Sequence, residues 1–361
     1  MQAISNRGGD PVRFPFPEPP APGAAIEIAE GVLWLRLPLP FRPDHLNVYA
    51  LDDCDGWTLV DSGLDTPACR EWWQAALAGP LGGRPVRRLV LTHHHPDHVG
   101  LAGWFQGALG AELWATRTAW LYARMLTLDA QERPTAEAMA FWRGAGMDAG
   151  MLAARAETRP FNFADVVAPM PLGFRRMVQD EEIEAGGRRW RVEIGHGHAP
   201  EAALLWGVGH DVVLVGDQVL PGITPNLGVY PTEPEADPVG AWIASCRRLR
   251  ALAGPQHLAL PGHRLPFTGL DARLDQLIAH QEAALAALAT FLDSPRRASE
   301  CFEVLFGRRI GGAAYGLALA EAVGHLNHLH RTGAVVRRRD AGGAWLWQRR
   351  EKAPDSAQGS G

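Results

Sequence analysis

Lysine is almost absent from this chain: Lys352 is the only one among 35 basic residues, and arginine supplies the rest. That bias fits GC-rich coding, and no function is read from it. Cysteine is scarce too. Cys54, Cys69, Cys246 and Cys301 lie far apart and form no CxxC pair, which fits reduced thiols rather than a disulfide framework or a thiolate zinc site. No apolar run approaches the roughly 20 residues that span a bilayer, so no membrane segment is expected. The start of the chain lacks a basic stretch followed by an apolar one, so no secretory signal is expected and the default compartment is the cytoplasm. A GxSxG nucleophile elbow is missing. The net charge of -5 is too mild to announce a nucleic-acid binder.

What is present is an ordinary globular composition, 47% hydrophobic and 21% charged, in a length that holds one large domain and a small one. Residues 1–25 carry six prolines with little to bury and read as a flexible Pro-rich arm. From Ile26 the texture alternates as strands do, in "IEIAEGVLWLRLPL", "LNVYAL" and "WTLVDSG". "DTPACREWWQAALAG" predicts a helix with Asp65 or Thr66 as N-cap, Pro67 in the first turn and Gly79 past its end. A strand over 87–91, a helix to about Leu109 and the strand "AELWA" follow.

Residues 117–158 read as a helical insertion rich in Trp, Tyr and Met. A second strand set then appears: a hairpin about Gly186-Gly187, "AALLWGVG", "DVVLVGD" and, after a helix over 238–252, "HLALPG". A long helix over 270–292 closes the catalytic region, 26–294. Strand groups and helix groups alternate twice, which predicts two mixed sheets packed together with helices outside, a four-layer α/β/β/α sandwich. Over 295–350 two helical segments precede a two-stranded hairpin, the pattern of a small winged-helix-like domain. Residues 351–361 read as a disordered tail.

The chemistry concentrates in "LTHHHPDHVG", residues 91–100, directly behind the apolar run 88–91. In an extended segment His93 and His95 project to one side while His94 points off. Pro96 holds His95 extended, so Asp97 and His98 approach from another direction after a turn. These are two donor pairs, and a metal ion needs three or four ligands. Further donors follow a common rule, an apolar strand, then glycine, then a ligand-type residue: His196 or His198 in "RVEIGHGHAPE", Asp217 in "DVVLVGDQ", His263 in "HLALPGH". His210, His257, His280, His325, His328 and His330 break the rule and read as structural or surface residues.

Together these residues resemble the metallo-β-lactamase superfamily. His93-x-His95-x-Asp97-His98 matches its HxHxDH motif, His198 its third metal-site histidine, Asp217 its bridging carboxylate and His263 its last ligand. Residues 295–350 look like the winged-helix appendage of the β-lactamase-like protein 2 group. The resemblance implies that His93, His95 and His198 hold one metal and Asp97, His98 and His263 another, with Asp217 between them and Asp97 also relaying a proton. His196 is then a spacer or lies behind a ligand. Asp61 in "LVDSG" is either the superfamily's ligand-orienting acid or a plain turn aspartate. The donors are nitrogen and oxygen only, which suits two Zn2+ and tolerates iron or manganese. Asp217 stands where the best-known β-lactamases carry a cysteine, which disfavours antibiotic hydrolysis.

Two such cations bring a shared water's pKa to about 7 and supply hydroxide at neutral pH without a protein nucleophile. Three functions remain open. The first is a zinc-dependent hydrolase of an ester, thioester or lactone, with the 117–158 insertion lining an apolar acyl pocket, or else serving as core or as a homodimer contact. The second is a nuclease of single-stranded RNA, binding nucleic acid through a basic C-terminal domain that includes Arg337, Arg338 and Arg339. The third is a mononuclear iron persulfide dioxygenase.

Overall fold

The computed structural model describes residues 11–350. Its first sheet opens as an antiparallel meander, β1 (Ile26–Ala29), β2 (Val32–Pro38), β3 (His45–Asp53) and β4 (Gly56–Val60). Helix α1 (Pro67–Ala78) then returns the chain to β5 (Val86–Val90), parallel to β4. The start of α1 follows its sequence signals. Thr66 accepts the Cys69 backbone N–H as N-cap, and Pro67 occupies the first turn, where its missing N–H costs nothing. After the short α2 (Pro96–Val99) and α3 (Ala102–Leu109), β6 (Glu112–Ala115) extends the parallel part. Helices α4 (Arg117–Leu128), α5 (Ala136–Gly144) and α6 (Ala149–Glu157) precede the two-residue edge strand β7 (Arg175–Arg176), and the sheet order is β1 to β7 in sequence.

The second sheet contains β8 (Glu182–Ala185), β9 (Arg188–Gly195), β10 (Ala202–Gly207), β11 (Val212–Gly216) and, across α7 (Pro238–Arg250), β12 (Leu258–Pro261). Its order is β12-β11-β10-β9-β8, antiparallel except for β11 against β12. The β8–β9 hairpin turns through Gly186 and Gly187 at φ 63° and 62°. Both need the left-handed region that glycine enters without a Cβ clash, as the Gly-Gly pair predicts.

The period-2 alternation of the strands builds two cores. Leu46, Val48 and Ala50 of β3 join Trp73 of α1 and Phe105 of α3, whereas Tyr49 and Leu51 join Trp190, Leu205 and Leu214 from the second sheet. Helices thus cover the outer face of the first sheet, and the inner faces of the two sheets share one apolar layer. Helix α7 is tied to the second sheet: the Arg248 guanidinium donates to the Glu193 carboxylate and to the Ile194 carbonyl. This is the mixed α/β sandwich expected. No helix among the described residues is long and apolar enough to cross a membrane.

The chain divides into two compact units. Among the described residues, one gathers the two large sheets and covers 11–134, 158–227 and 240–279; the other covers 135–157, 228–239 and 280–350. The second unit holds α5 and α6, the end of α8 (Leu270–Phe291), α9 (Phe302–Phe306), α10 (Tyr315–Arg331) and the hairpin β13 (Val335–Arg339) with β14 (Trp345–Arg349). The helical insertion is therefore split between the units. Phe141 packs its ring against Trp345 at 6.1 Å and Met147 is buried, so this half of the insertion is core. Arg337 donates twice to the Glu235 carboxylate and lies over the Trp345 ring, as Arg339 also does; only Arg338 of that trio lacks a partner among the described residues.

One expectation is corrected. Residues 11–25, read as a flexible arm, are held in place: Arg13 exchanges two backbone hydrogen bonds with Thr268, Val12 is buried and Phe16 packs against the core between the sheets. Sequence statistics missed this because prolines withhold donors without preventing their neighbours from pairing. The first part of that arm, 1–10, and the tail 351–361 lie outside the described residues.

Candidate metal centre

Four strand ends deliver the site. Behind β5 come Thr92 and His93, behind β9 comes His198, behind β11 comes Asp217, and behind β12 come Gly262 and His263. His95 is extended at φ -63° and ψ 147°, and Pro96 opens α2, which carries Asp97 and His98. Pro96 thus sets the turn that separates the two pairs of donors, as expected.

The structure brings together every residue expected at the centre. The His93 ring lies 4.0 Å from His98, 4.6 Å from His95 and 4.9 Å from His198, centroid to centroid. His263 Nε2 is 3.1 Å from Asp217 Oδ2 and 3.4 Å from Asp97 Oδ2. His98 Nε2 and His198 Nε2 lie 3.6 and 3.7 Å from that same Asp217 oxygen. Three donor groups result, each with ligand atoms within 4.8 Å of one another: His93-His95-His198, His93-His98-Asp217 and Asp97-His98-His263. His94 and His196 join none of them. His94 is buried against Tyr122 and Phe163, at 5.3 and 6.4 Å between rings, and burial lowers its pKa to about 3. His196 is exposed and turns its Nδ1 to the Pro200 carbonyl.

The rear nitrogens of four rings are anchored. The Nδ1 of His93 pairs with Thr92 Oγ1 at 3.0 Å, of His98 with Asp61 Oδ2 at 2.7 Å, of His198 with the Asn226 carbonyl at 3.0 Å and of His263 with the His45 carbonyl at 2.7 Å. With Nδ1 so anchored, each ring turns its Nε2 to the centre and, once deprotonated there, offers it as a lone pair. Asp61 is therefore more than a turn residue. Held at φ 64°, it also accepts from the Thr92 backbone N–H and hydroxyl, both at 2.8 Å.

Thr92, His45 and Asn226 are the positions that sequence reasoning missed. The last two act through backbone carbonyls, which any residue carries and no residue type announces. Gly262 was missed as well: a Cβ there would sit 2.3 Å from Asp217 Oδ1 and 2.8 Å from His98 Cε1.

The electrostatics favour cations. Burial pushes His93, His95 and His198 below the ordinary imidazole range, so they remain neutral donors. Burial also disfavours charge on Asp217 and Asp97, yet the neighbouring His98 and His263 rings hold both carboxyls below the usual range. Conversely, burial opposes a charged His263, but Asp217 and Asp97 outweigh it and raise its pKa to about 10. His98 is raised the same way by Asp61, Asp97 and Asp217. Buried carboxylates here draw positive charge from whatever can supply it. The hydrogen bonds agree: His98 Nε2, His198 Nε2 and Asp217 Oδ1 are buried and have no hydrogen-bond partner among the described residues. Such orphans are costly unless something else, such as a metal ion, satisfies them.

Residues 41–263 match the Metallo-beta-lactamase superfamily and residues 285–350 match the "Metallo-beta-lactamase-like, C-terminal domain". Among proteins of known name, the chain is 24% identical over 316 residues to the "Probable metallo-hydrolase YqjP" of Bacillus subtilis (strain 168), covering 85% of this chain and 94% of that protein. Among solved structures, a beta-lactamase domain protein from Burkholderia ambifaria is 33% identical at a TM-score of 0.86, over 94% of this chain and 98% of that one. The metallo-beta-lactamase family protein TTHA1429 from Thermus thermophilus is 31% identical at a TM-score of 0.74, over 90% and 100%.

Proposed function

The chain belongs to the metallo-beta-lactamase superfamily and is a metal-dependent hydrolase, and we propose that it works with two zinc ions on an ester, thioester or lactone. The observation that carries this reading is that His98 Nε2 and His198 Nε2, both buried without a hydrogen-bond partner among the described residues, converge within 3.7 Å of Asp217 Oδ2, a carboxylate whose other oxygen is likewise unpartnered. His93, His95 and His198 would hold one ion, Asp97, His98 and His263 the other, with Asp217 between them. The all nitrogen and oxygen donor set suits zinc. Bound there, a cation pair supplies an acidified water at neutral pH and polarises the substrate oxygen.

The chain's own residues do the rest. Asp97, whose side chain keeps 12% of its surface exposed beside His263, accepts the attacking water's proton and passes it outward. Asp61 and the Thr92 hydroxyl fix the rings of His98 and His93 so that the donors do not reorganise. A run of rings leads away from the centre, and the acyl group is assigned to its exposed end: His94 next to His95, then Tyr122 and Phe163, then Phe161 at 6.1 Å from Phe163. Phe161 is exposed, as are Leu121, Met125 and Leu128 on α4. Large exposed apolar groups bordering a polar centre mark a binding surface.

The test is metal analysis of the purified protein together with a panel of esters, thioesters and lactones of increasing acyl length. About two zinc ions per chain are expected, with turnover that rises with acyl length and disappears in His95→Ala. One iron per chain, or two zinc ions with no turnover across the panel, overturns the reading.

A further inference from the structure

Three described residues other than glycine have positive φ: Asp61 at 64°, Asp180 at 65° and Arg264 at 75°. Aspartate tolerates the left-handed region, and at Asp61 the conformation aims a carboxylate at His98. Arginine gains nothing locally from it, and glycine or asparagine would adopt it at less cost. Arg264 directly follows His263, and its backbone is fixed on both sides. Its N–H donates to His45 Nε2 at 2.9 Å, while its carbonyl accepts from the Arg36 guanidinium at 2.6 Å and from Asn47 Nδ2 at 2.8 Å. The side chain, by contrast, is exposed and makes no hydrogen bond or ion pair with any described residue. Backbone strain of this kind clusters at functional centres, and here it holds a free, exposed guanidinium next to His263.

The surroundings define what it would meet. Arg36 lies close enough that, after burial, the charge of Arg264 helps to lower its pKa. Arg42 is exposed on the loop before His45. Beside Arg36 stands the carboxylate of Asp44, already bonded to His45 Nδ1 at 2.9 Å and approached also by Arg42. The corner beside His263 is therefore cationic within a chain of net charge -5.

We propose that Arg264 takes an oxyanion group of the substrate, a carboxylate or a phosphate, so that the molecule cleaved is an anionic acyl compound. This rests on the hydrolase reading above. A planar guanidinium fork matches either oxyanion with two parallel hydrogen bonds.

Arg264→Gly separates the side chain from the backbone, because glycine adopts the same φ and keeps both backbone partners. Two measurements decide. The first is kcat/KM for thioesters bearing a carboxylate or a phosphate, divided by that for a neutral thioester of equal length. In Arg264→Gly this ratio should fall about tenfold or more, the size expected from losing charge-assisted hydrogen bonds, and Arg264→Lys should fall between. Which anionic thioester loses more tells carboxylate from phosphate. The second is stabilisation of the zinc-loaded protein against heat by succinate and by inorganic phosphate, each expected to be larger for wild type than for Arg264→Gly. If thioesters are turned over but the ratio and the stabilisation match wild type, the anion site is wrong and the hydrolase stands. If no acyl compound is turned over while the stabilisation still differs, the hydrolase reading is wrong and the anion site stands.

Discussion

The two compact units each concentrate histidine, and they treat it in opposite ways. At the strand ends, five imidazoles gather around Asp97 and Asp217, and His98 Nε2 and His198 Nε2 have no hydrogen-bond partner among the described residues. On α10, His325 is equally buried, yet its Nδ1 pairs with the Glu321 carbonyl at 2.9 Å and its Nε2 with the Gln281 carboxamide at 2.8 Å. His328 of the same helix meets the Asp237 carboxylate at 3.0 Å, and His330 the Val335 carbonyl at 3.3 Å. Density of histidine therefore does not mark a metal centre. Unpartnered nitrogens that converge on a buried carboxylate do, as His98 Nε2 and His198 Nε2 converge on Asp217, because desolvating a polar atom is repaid only by something that binds it.

Removing the shared acceptor should break the contrast most completely. Asp217→Ala leaves the Nε2 atoms of His98, His198 and His263 facing one another without the carboxylate that holds them. Bound metal should fall below one ion per chain and kcat should drop by about 10³-fold or more, the scale of several kcal/mol of lost charge stabilisation. Elemental analysis with single-turnover kinetics measures both, and retention of two ions would show that Asp217 is no bridge. A narrower intrusion is Gly262→Ala, whose added methyl would lie 2.3 Å from Asp217 Oδ1. The neighbouring carboxylate must swing away, so metal affinity should weaken about 10- to 100-fold, as when ligand support is lost, while the overall fold persists. Competition with a chelator reads that shift, and unaltered affinity would mean that the carboxylate has room to spare.

The same contrast explains how much was legible in the sequence. The ligand-type residues were readable because they obey local rules: alternation places His93 with His95, Pro96 forces a turn, and each later donor follows an apolar strand. The two sheets were readable from the same alternation. Their partners were hidden wherever the backbone acts, as at His45 and Asn226, and wherever the message is an absent side chain, as at Gly262. The division of the helical insertion was hidden too. Phe141 and Met147 look in sequence like Tyr122 and Met125, and only tertiary packing sends the first pair into a core while Tyr122 meets His94 and Met125 stays exposed.

The smallest expected effect lies in the satisfied cluster and concerns stability alone. Burial lowers the pKa of His325 from 6.5 to about 4, so the folded chain keeps this ring neutral where the unfolded chain would protonate it. Between these values the unfolded state binds the extra proton, and stability rises with pH; the contribution is complete above about pH 6.5 and is lost as pH falls through about 4. A pKa difference of one is worth about 1.4 kcal/mol, so the loss is at most about 3.5 kcal/mol. His325→Leu removes that titration but strands the Gln281 carboxamide, a loss of about 1–3 kcal/mol near neutral pH. Urea unfolding of metal-free wild type and His325→Leu across pH 4 to 7.5 should give two curves, the variant lower at pH 7.5 and the gap closing towards pH 4. Metal content at neutral pH should stay at the wild-type level. A parallel pair of curves would mean that His325 titrates alike in folded and unfolded chains; lost metal would mean that His325 does more than stabilise its own helix.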